Sequence, residues 1–179
     1  AGFVTAALGN ATTILNVGAG TGSYEPVNRL AIAVEPSANM RHQRLVAGKS
    51  PAINASAELL PFDDNSFDAA MAMITIHHWK DLDRGIAEMR RVTKGPVVIM
   101  TFDPEALHLG WLPTCFPELV KVESKRYPPI NSIVKALGSN CTIQKIPVTL
   151  DCLDGFQEAF YGRPEEFLKK EIRDAQSAW

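Results

Sequence analysis

Three groups of residues in this chain have the types and spacing to do chemistry. The first is Gly18-Ala19-Gly20-Thr21-Gly22, with a glycine at every second position directly after the apolar run Thr13-Ile14-Leu15-Asn16-Val17. Lacking Cβ atoms, Gly18 and Gly20 can turn sharply and offer backbone amides to a ligand; the plain alternative is a tight turn. A dinucleotide fingerprint wants its third glycine or alanine one place later. That place holds Ser23, which disfavours a nicotinamide cofactor. The second is Glu35, which closes another apolar run 17 residues after Gly18. A carboxylate there can accept two charge-assisted bonds from a ribose diol, and its alternative duty is to face the start of a helix before Ser37. The third is the pair His77-His78, which follows a long apolar stretch. Imidazole titrates near neutrality and suits a general base, against a reading as wall or packing residues. In an extended segment the two side chains point opposite ways, so one faces the cleft.

These groups need elements to hold them. Residues 2–8 read as the tail of a helix closed by Gly9 and Asn10. Strands are expected over 13–17, 31–34, 51–54, 66–76 and 97–102, and an extended stretch over 142–150 makes a sixth. Helices are expected from Ser37 to near Gly48, over 81–92, 105–112, 129–137, 155–161 and 164–177. Strands alternating with helices call for a parallel sheet covered on both faces. Between Gly22 and the second strand only residues 23–30 can hold a crossover helix, so either that helix is abbreviated or residues are missing from the chain. One domain over 1–179 is expected, and the missing initiator Met and the end at Trp179 within a helical pattern suggest truncation at both ends.

Composition removes several function classes. Eighteen basic against 20 acidic side chains give a net charge of −2, which leaves no basic excess for a nucleic-acid backbone. The hydrophobic fraction of 46% supports one sizeable core, and no apolar run approaches a membrane span. Cys115, Cys141 and Cys152 are widely spaced, without a CxxC pair or histidines arranged around them. They read as free, buried thiols of a cytoplasmic protein, and no metal is expected.

The run from Ile14 through Gly22 to Ser23-Tyr24 resembles motif I of the class I S-adenosylmethionine-dependent methyltransferases, and Ala33-Val34-Glu35-Pro36-Ser37 resembles the acidic motif that follows it. Ala57-Glu58-Leu59-Leu60-Pro61-Phe62-Asp63-Asp64-Asn65-Ser66-Phe67-Asp68 is similar to the signature of the ubiquinone/menaquinone methyltransferase-like branch, methyltransferase type 11. Ile76-His77-His78-Trp79 and Glu88-Met89-Arg90-Arg91-Val92 fit the same branch, and the resemblance covers roughly residues 10–104.

The resemblance implies an α/β, Rossmann-like three-layer sandwich with a mostly parallel sheet in the order 3-2-1-4-5-7-6. The antiparallel seventh strand is expected beyond Trp179 or is absent. It implies methyl transfer from S-adenosyl-L-methionine to a small-molecule acceptor. The alternatives are a nicotinamide-dependent oxidoreductase and a non-catalytic cofactor-binding protein of the same fold. The implied cofactor contacts are Gly18, Ala19, Gly20, Thr21 and Gly22 at the methionine end, Glu35 at the ribose, and Pro36 and Ser37 beside the adenine. Ser56 takes the place of the usual acidic side chain at the adenine amino group, Ala57 supplies the amide, and Glu58 and Ile74 complete the set. His77 and His78 are the candidate bases. Trp111, Tyr127, Phe156, Phe160 and Tyr161 are candidates for the acceptor pocket or plain core.

Overall fold

A computed structural model describes residues 2–138, 140–152 and 154–174. The end of the expected helix 164–177 therefore lies outside the described residues. The chain divides into two compact units, one of residues 1–101 and 130–141, the other of 102–129 and 142–179.

The first unit is built on five parallel strands, β1 (Thr13–Val17), β2 (Leu30–Val34), β3 (Ala52–Ile53), β4 (Ala69–Met73) and β5 (Val97–Met100), in the order β3-β2-β1-β4-β5. That is the expected α/β class and the expected order of the first five strands. Successive strand residues face opposite sides, and the parity sorts the core. Leu15, Val17, Ala70 and Ala72 pack on one face with Ile86, Met89 and Val92, whereas Ile14, Ala69, Met71 and Met73 pack on the other with Val4 and Leu8. Every residue of β4 is buried, which is why its sequence is continuously apolar rather than alternating.

Among the described residues, four α-helices belong to this unit. In α1 (Gly2–Ala7), Val4 is buried, and Gly9 ends the turn at φ +56°. Ser37 caps α2 (Ala38–Val46) by accepting from the Met40 amide at 3.3 Å. Asp81 caps α3 (Leu82–Arg91) by accepting from the Arg84 amide at 3.0 Å. Complete burial of Ile86, Met89 and Val92 contributes about 1.5–3 kcal/mol each and fixes α3 on its sheet face. The helix of residues 130–137 brings Ile133 to the same face.

The second unit holds two helices that the sequence analysis does not anticipate, α4 (Leu112–Cys115) and α5 (Pro117–Arg126), each with proline in its first turn. The helix of residues 130–137 is thus α6 (Ile130–Leu137), and α7 (Lys170–Asp174) follows near the end of the described chain. The expected helix over 105–112 is reduced to a single tight turn at Ala106–His108.

The core of this second unit is aromatic. Trp111 meets Phe167 at 5.5 Å, Phe160 meets Phe167 at 5.0 Å, and Phe102 meets Phe156 at 5.1 Å and Tyr127 at 5.6 Å between ring centroids. Such edge-on pairs are worth about 0.5–1.5 kcal/mol each beyond burial, so four of the five acceptor-pocket candidates serve packing here. Tyr161 is more exposed and donates its hydroxyl to the Val148 carbonyl at 3.2 Å.

Two expectations are corrected, the strand over 142–150 and the buried thiols. Residues 142–149 form no strand, and Ile143 and Ile146 stay exposed because Pro147 removes a donor and no described strand pairs there. Residues 23–29 hold turns and no helix, consistent with Pro26 and with Val27 left 97% exposed. Cys115 is exposed, and Cys141 and Cys152 are half-buried, so the free thiols are not core residues.

Candidate functional site

The parallel register lines up the carboxyl ends of the central strands. Val17 pairs with Val34 and Val34 with Ile53, so Gly18, Glu35 and Asn54 leave the sheet side by side. The ladder runs one step further, with the Gly18 and Ala19 amides donating to the Val34 carbonyl at 2.9 and 3.0 Å. A crevice outside the carboxyl ends of parallel strands is where such sheets take ligands.

Gly18, Gly20 and Gly22 adopt φ of +67°, +51° and +86°, a conformation that side chains resist. A Cβ on Gly18 would fall on Thr75 Oγ1 and lie 2.9 Å from Thr75 Cβ and Cγ2. Gly18 is therefore glycine for two separate reasons, backbone hand and the approach of the segment after β4. The Gly20 amide donates to Glu35 Oε2 at 2.8 Å, and the Ser37 amide donates to Glu35 Oε1 at 2.8 Å. Glu35 is only 7% exposed and ties the glycine loop to the start of α2. Arg41 backs this turn, donating to the carbonyls of Glu35 and Pro36 and to Asn54 Oδ1.

The run 56–64 is held by α3. Arg91 clasps Glu88 through two bonds of 2.7 and 2.9 Å, and donates to Asp64 Oδ1 and to the carbonyls of Phe62 and Leu60. Glu88 in turn accepts from the Leu60 amide at 2.9 Å. Hydrogen bonding from Arg91 holds the Glu88 carboxyl below its ordinary value despite partial burial. Glu58 faces the start of α3, accepting from the Lys80 amide at 2.7 Å and the Asp81 amide at 3.3 Å. Burial opposes its charge, but the Glu58, Lys80 and Asp81 amides and the Ser56 hydroxyl together outweigh it and hold the Glu58 carboxyl low. Ala57 is buried in the core, so the Glu58 and Ser56 side chains brace this loop.

After β4, Ile74 sits at φ +51°, anchored by its amide to the Met100 carbonyl at 2.8 Å. A β-branched residue in that region stores about 1–3 kcal/mol of strain, the kind that clusters at ligand sites. His77 and His78 lie on a tight turn, Ile76–His78, and not on an extended segment. Three residues per turn separate neighbours by about 120°, so the expected opposition is replaced by two rings 3.9 Å apart. Trp79 lies against Gly85 of α3, where a Cβ would meet its ring at 2.5 Å.

Sequence reasoning missed a polar cluster behind the loop. Arg44 is 1% exposed and donates to Glu25 Oε2 at 2.8 Å, while Asn16 Nδ2 donates to Glu25 Oε1 at 3.0 Å. Nothing in the helical pattern of α2 marks Arg44 as an inward residue. A cavity of about 600 Å³ lined by Asn10, Thr12, Val27 and Arg29 lies at the amino ends of β1 and β2, away from these groups.

The family profile of a methyltransferase domain matches residues 15–99. The crystal structure of a putative methyltransferase from an antibiotic biosynthesis pathway of Anabaena variabilis is 32% identical, with a TM-score of 0.82 over 93% of this chain and 71% of that one. An uncharacterized methyltransferase of Mycobacterium tuberculosis is 33% identical over 75% of this chain and 56% of its own length. A ubiquinone/menaquinone biosynthesis C-methyltransferase of Citrifermentans bemidjiense is 46% identical over 55 residues, 30% of this chain and 23% of that one. The chain spans 60% or less of the length of the curated relatives it matches.

Proposed function

The chain belongs to the S-adenosylmethionine-dependent methyltransferase family, and from that premise we propose that the protein transfers a methyl group from S-adenosyl-L-methionine to a small-molecule acceptor. The observation that carries this reading is the Glu35 carboxylate, bridging the glycine loop and the start of α2 at the carboxyl edge of the sheet. A net charge of −2 favours a small acceptor over nucleic acid. The run Ala57–Asp68 and the local match to the ubiquinone/menaquinone enzyme support that branch of the family. Three free cysteines suit a reducing cytoplasm.

The residues present fit the cofactor: side-chain-free turns at Gly18, Gly20 and Gly22 leave room for close approach, and a buried carboxylate stands beside them. In this reading Gly18 to Gly22 hold the amino-acid end, Glu35 the ribose hydroxyls, and Pro36, Ser37 and the backbone of Ser56 and Ala57 the adenine, with Ile74 as wall. Glu58 is left to its structural bonds. When bound, the cofactor supplies a methyl group already activated by the sulfonium charge. The chain's own contribution is orientation and exclusion of water, in line with the strained backbone at Ile74 beside the glycine loop. His77 and His78 follow β4 at the same edge, and one of them takes the proton from an acceptor that must lose one.

Calorimetric titration with S-adenosylmethionine, S-adenosylhomocysteine, NAD and NADP tests the reading. Binding of the first two alone is expected; binding of NAD without the sulfonium cofactor would overturn it. Once an acceptor is found, His77→Ala or His78→Ala should lower turnover by about a hundredfold with cofactor affinity within a few-fold. Normal turnover in both variants removes the base assignment.

A further inference from the structure

The cavity of about 600 Å³ at the amino ends of β1 and β2 lies at the opposite end of the strands from Glu35 and the glycine loop. It belongs wholly to the first unit, walled by residues 9–12 after α1 and residues 27–30 ahead of β2. Arg29 is the one charged side chain in that wall. Its Nη2 donates to the Thr5 carbonyl at 3.4 Å, a long bond to a neutral acceptor, and its Nη1 is buried without a hydrogen-bond partner. Among the described residues no carboxylate pairs with it. A charged donor left unmade is costly, and folded proteins leave few such groups.

The rest of the wall adds backbone donors and an apolar lip. Val27 and Asn28 form the centre of a turn, and among the described residues their amides find no acceptor. The two central amides of a turn have no partner within it, so they are free for an outside one. The Leu30 amide donates to the Thr12 carbonyl at 3.0 Å, which ties the two walls together. Asn10 and Asn28 are exposed and Val27 is 97% exposed, so the cavity is open to solvent without any movement of the chain. Val27 and Leu30 also leave apolar surface in water at its rim.

The charges narrow the ligand. One unpaired guanidinium calls for one negative charge. Asp68, whose carboxylate takes the Thr12 hydroxyl at 2.7 Å, brings a negative charge to the same wall and disfavours a second on the ligand. The apolar rim favours a hydrocarbon body beside the anion, and the volume is that of a small-molecule site. We propose that this cavity binds a small monocarboxylate with an aliphatic chain. The charge of Arg29 and the Val27 and Asn28 amides hold the carboxylate, and the Val27 and Leu30 side chains lie against the chain. The site is independent of the cofactor reading, since it shares no residue with the glycine loop or Glu35.

Hexanoate is the probe, titrated at constant ionic strength and followed by backbone amide chemical shifts. Saturable shifts centred on residues 9–12 and 27–30 are expected. Hexanol, which has the chain without the charge, should bind at least about tenfold more weakly, the loss of one charge-assisted bond. Arg29→Gln removes the cation, whereas Asn28→Asp puts a negative charge on the exposed lip and leaves the Arg29 bond to Thr5 intact. Each should weaken hexanoate at least about tenfold, with melting temperature as the control for folding. If Arg29→Gln does not fold, Asn28→Asp decides alone, because that side chain is exposed. Equal binding of hexanol and hexanoate would reduce the attraction to apolar contact and overturn the proposal. Tighter binding of inorganic phosphate would overturn the monocarboxylate assignment. Absence of saturable shifts, shifts centred on the glycine loop instead, or unchanged affinity in Asn28→Asp would each overturn the site.

Discussion

Gly18→Ala tests how tightly the backbone at the carboxyl edge is specified. Two independent costs act at that position. An alanine held at φ +67° pays about 1–2 kcal/mol for the left-handed conformation. Its methyl group would also fall on Thr75 Oγ1 and sit 2.9 Å from Thr75 Cβ and Cγ2. Thr75 cannot easily retreat, being 9% exposed with its carbonyl taking the His78 amide at 2.9 Å. Forcing a methyl group into such a site costs about 1–3 kcal/mol. The sum is about 2–5 kcal/mol, or roughly 4–20 °C in melting temperature for a chain of this size. Gly20→Ala is the internal control, because Gly20 has φ +51° but nothing within 4 Å of an added Cβ. It should show only the conformational part, about 1–2 kcal/mol. Thr75→Gly combined with Gly18→Ala deletes all three contacting atoms and should recover the steric part alone in a double-mutant cycle. Urea unfolding followed by tryptophan fluorescence gives each value. If Gly18→Ala costs no more than Gly20→Ala, the close approach of Thr75 plays no part and the reasoning fails.

Glu35→Ala should weaken S-adenosylhomocysteine binding at least about tenfold and also destabilise the free protein by about 1–3 kcal/mol, because the Gly20 and Ser37 amides lose their acceptor. Calorimetry and urea unfolding read the two effects separately, and a free protein of unchanged stability would deny the bridging role. Arg91→Met should release residues 60–64 from α3, raising amide hydrogen exchange there while the β1 and β4 amides keep their protection. Uniform exchange across the unit would show that Arg91 supports the whole core instead. Asp68 accepts from the Thr12 hydroxyl at 2.7 Å and from the Thr12 and Thr13 amides, and these bonds hold its carboxyl far below its ordinary value. Its contribution is present above the unfolded value of 3.8 and lost as pH falls through the depressed one, so Asp68→Asn should flatten the acid side of the stability curve. Glu158 runs the other way: burial, with the nearby Glu123 charge, pushes its carboxyl from 4.5 up to about 7. Stability is therefore lost as pH rises from 4.5 to 7, and Glu158→Gln should remove that slope in urea titrations at pH 5 and pH 8.

Glycine spacing, the acidic residue after the second strand and the order of apolar runs were legible because each follows from local chemistry. Positive φ selects glycine, buried parallel strands read as continuous apolar runs, and Ser37 announces the start of α2 by its capping hydroxyl. The same local logic failed where neighbours in space decide. Residues 142–150 read as extended, yet a strand exists only with a partner along its edge, and no described segment supplies one. His77 and His78 were expected to diverge because strand parity was extended past β4, where the chain has already turned. Glu35 read as a ligand contact at the rim, but the Gly20 amide reaches it across the sheet edge and makes it part of the folded frame as well. Arg44 and Arg91 show the limit most clearly. Each looks like an ordinary helix-surface cation, and only the packed structure surrounds one with Glu25 and Ser50 and the other with Glu88, Asp64 and two carbonyls. A helical repeat determines which residues share a face, whereas the groups that meet that face come from distant positions in the chain, which only tertiary packing brings within hydrogen-bond reach.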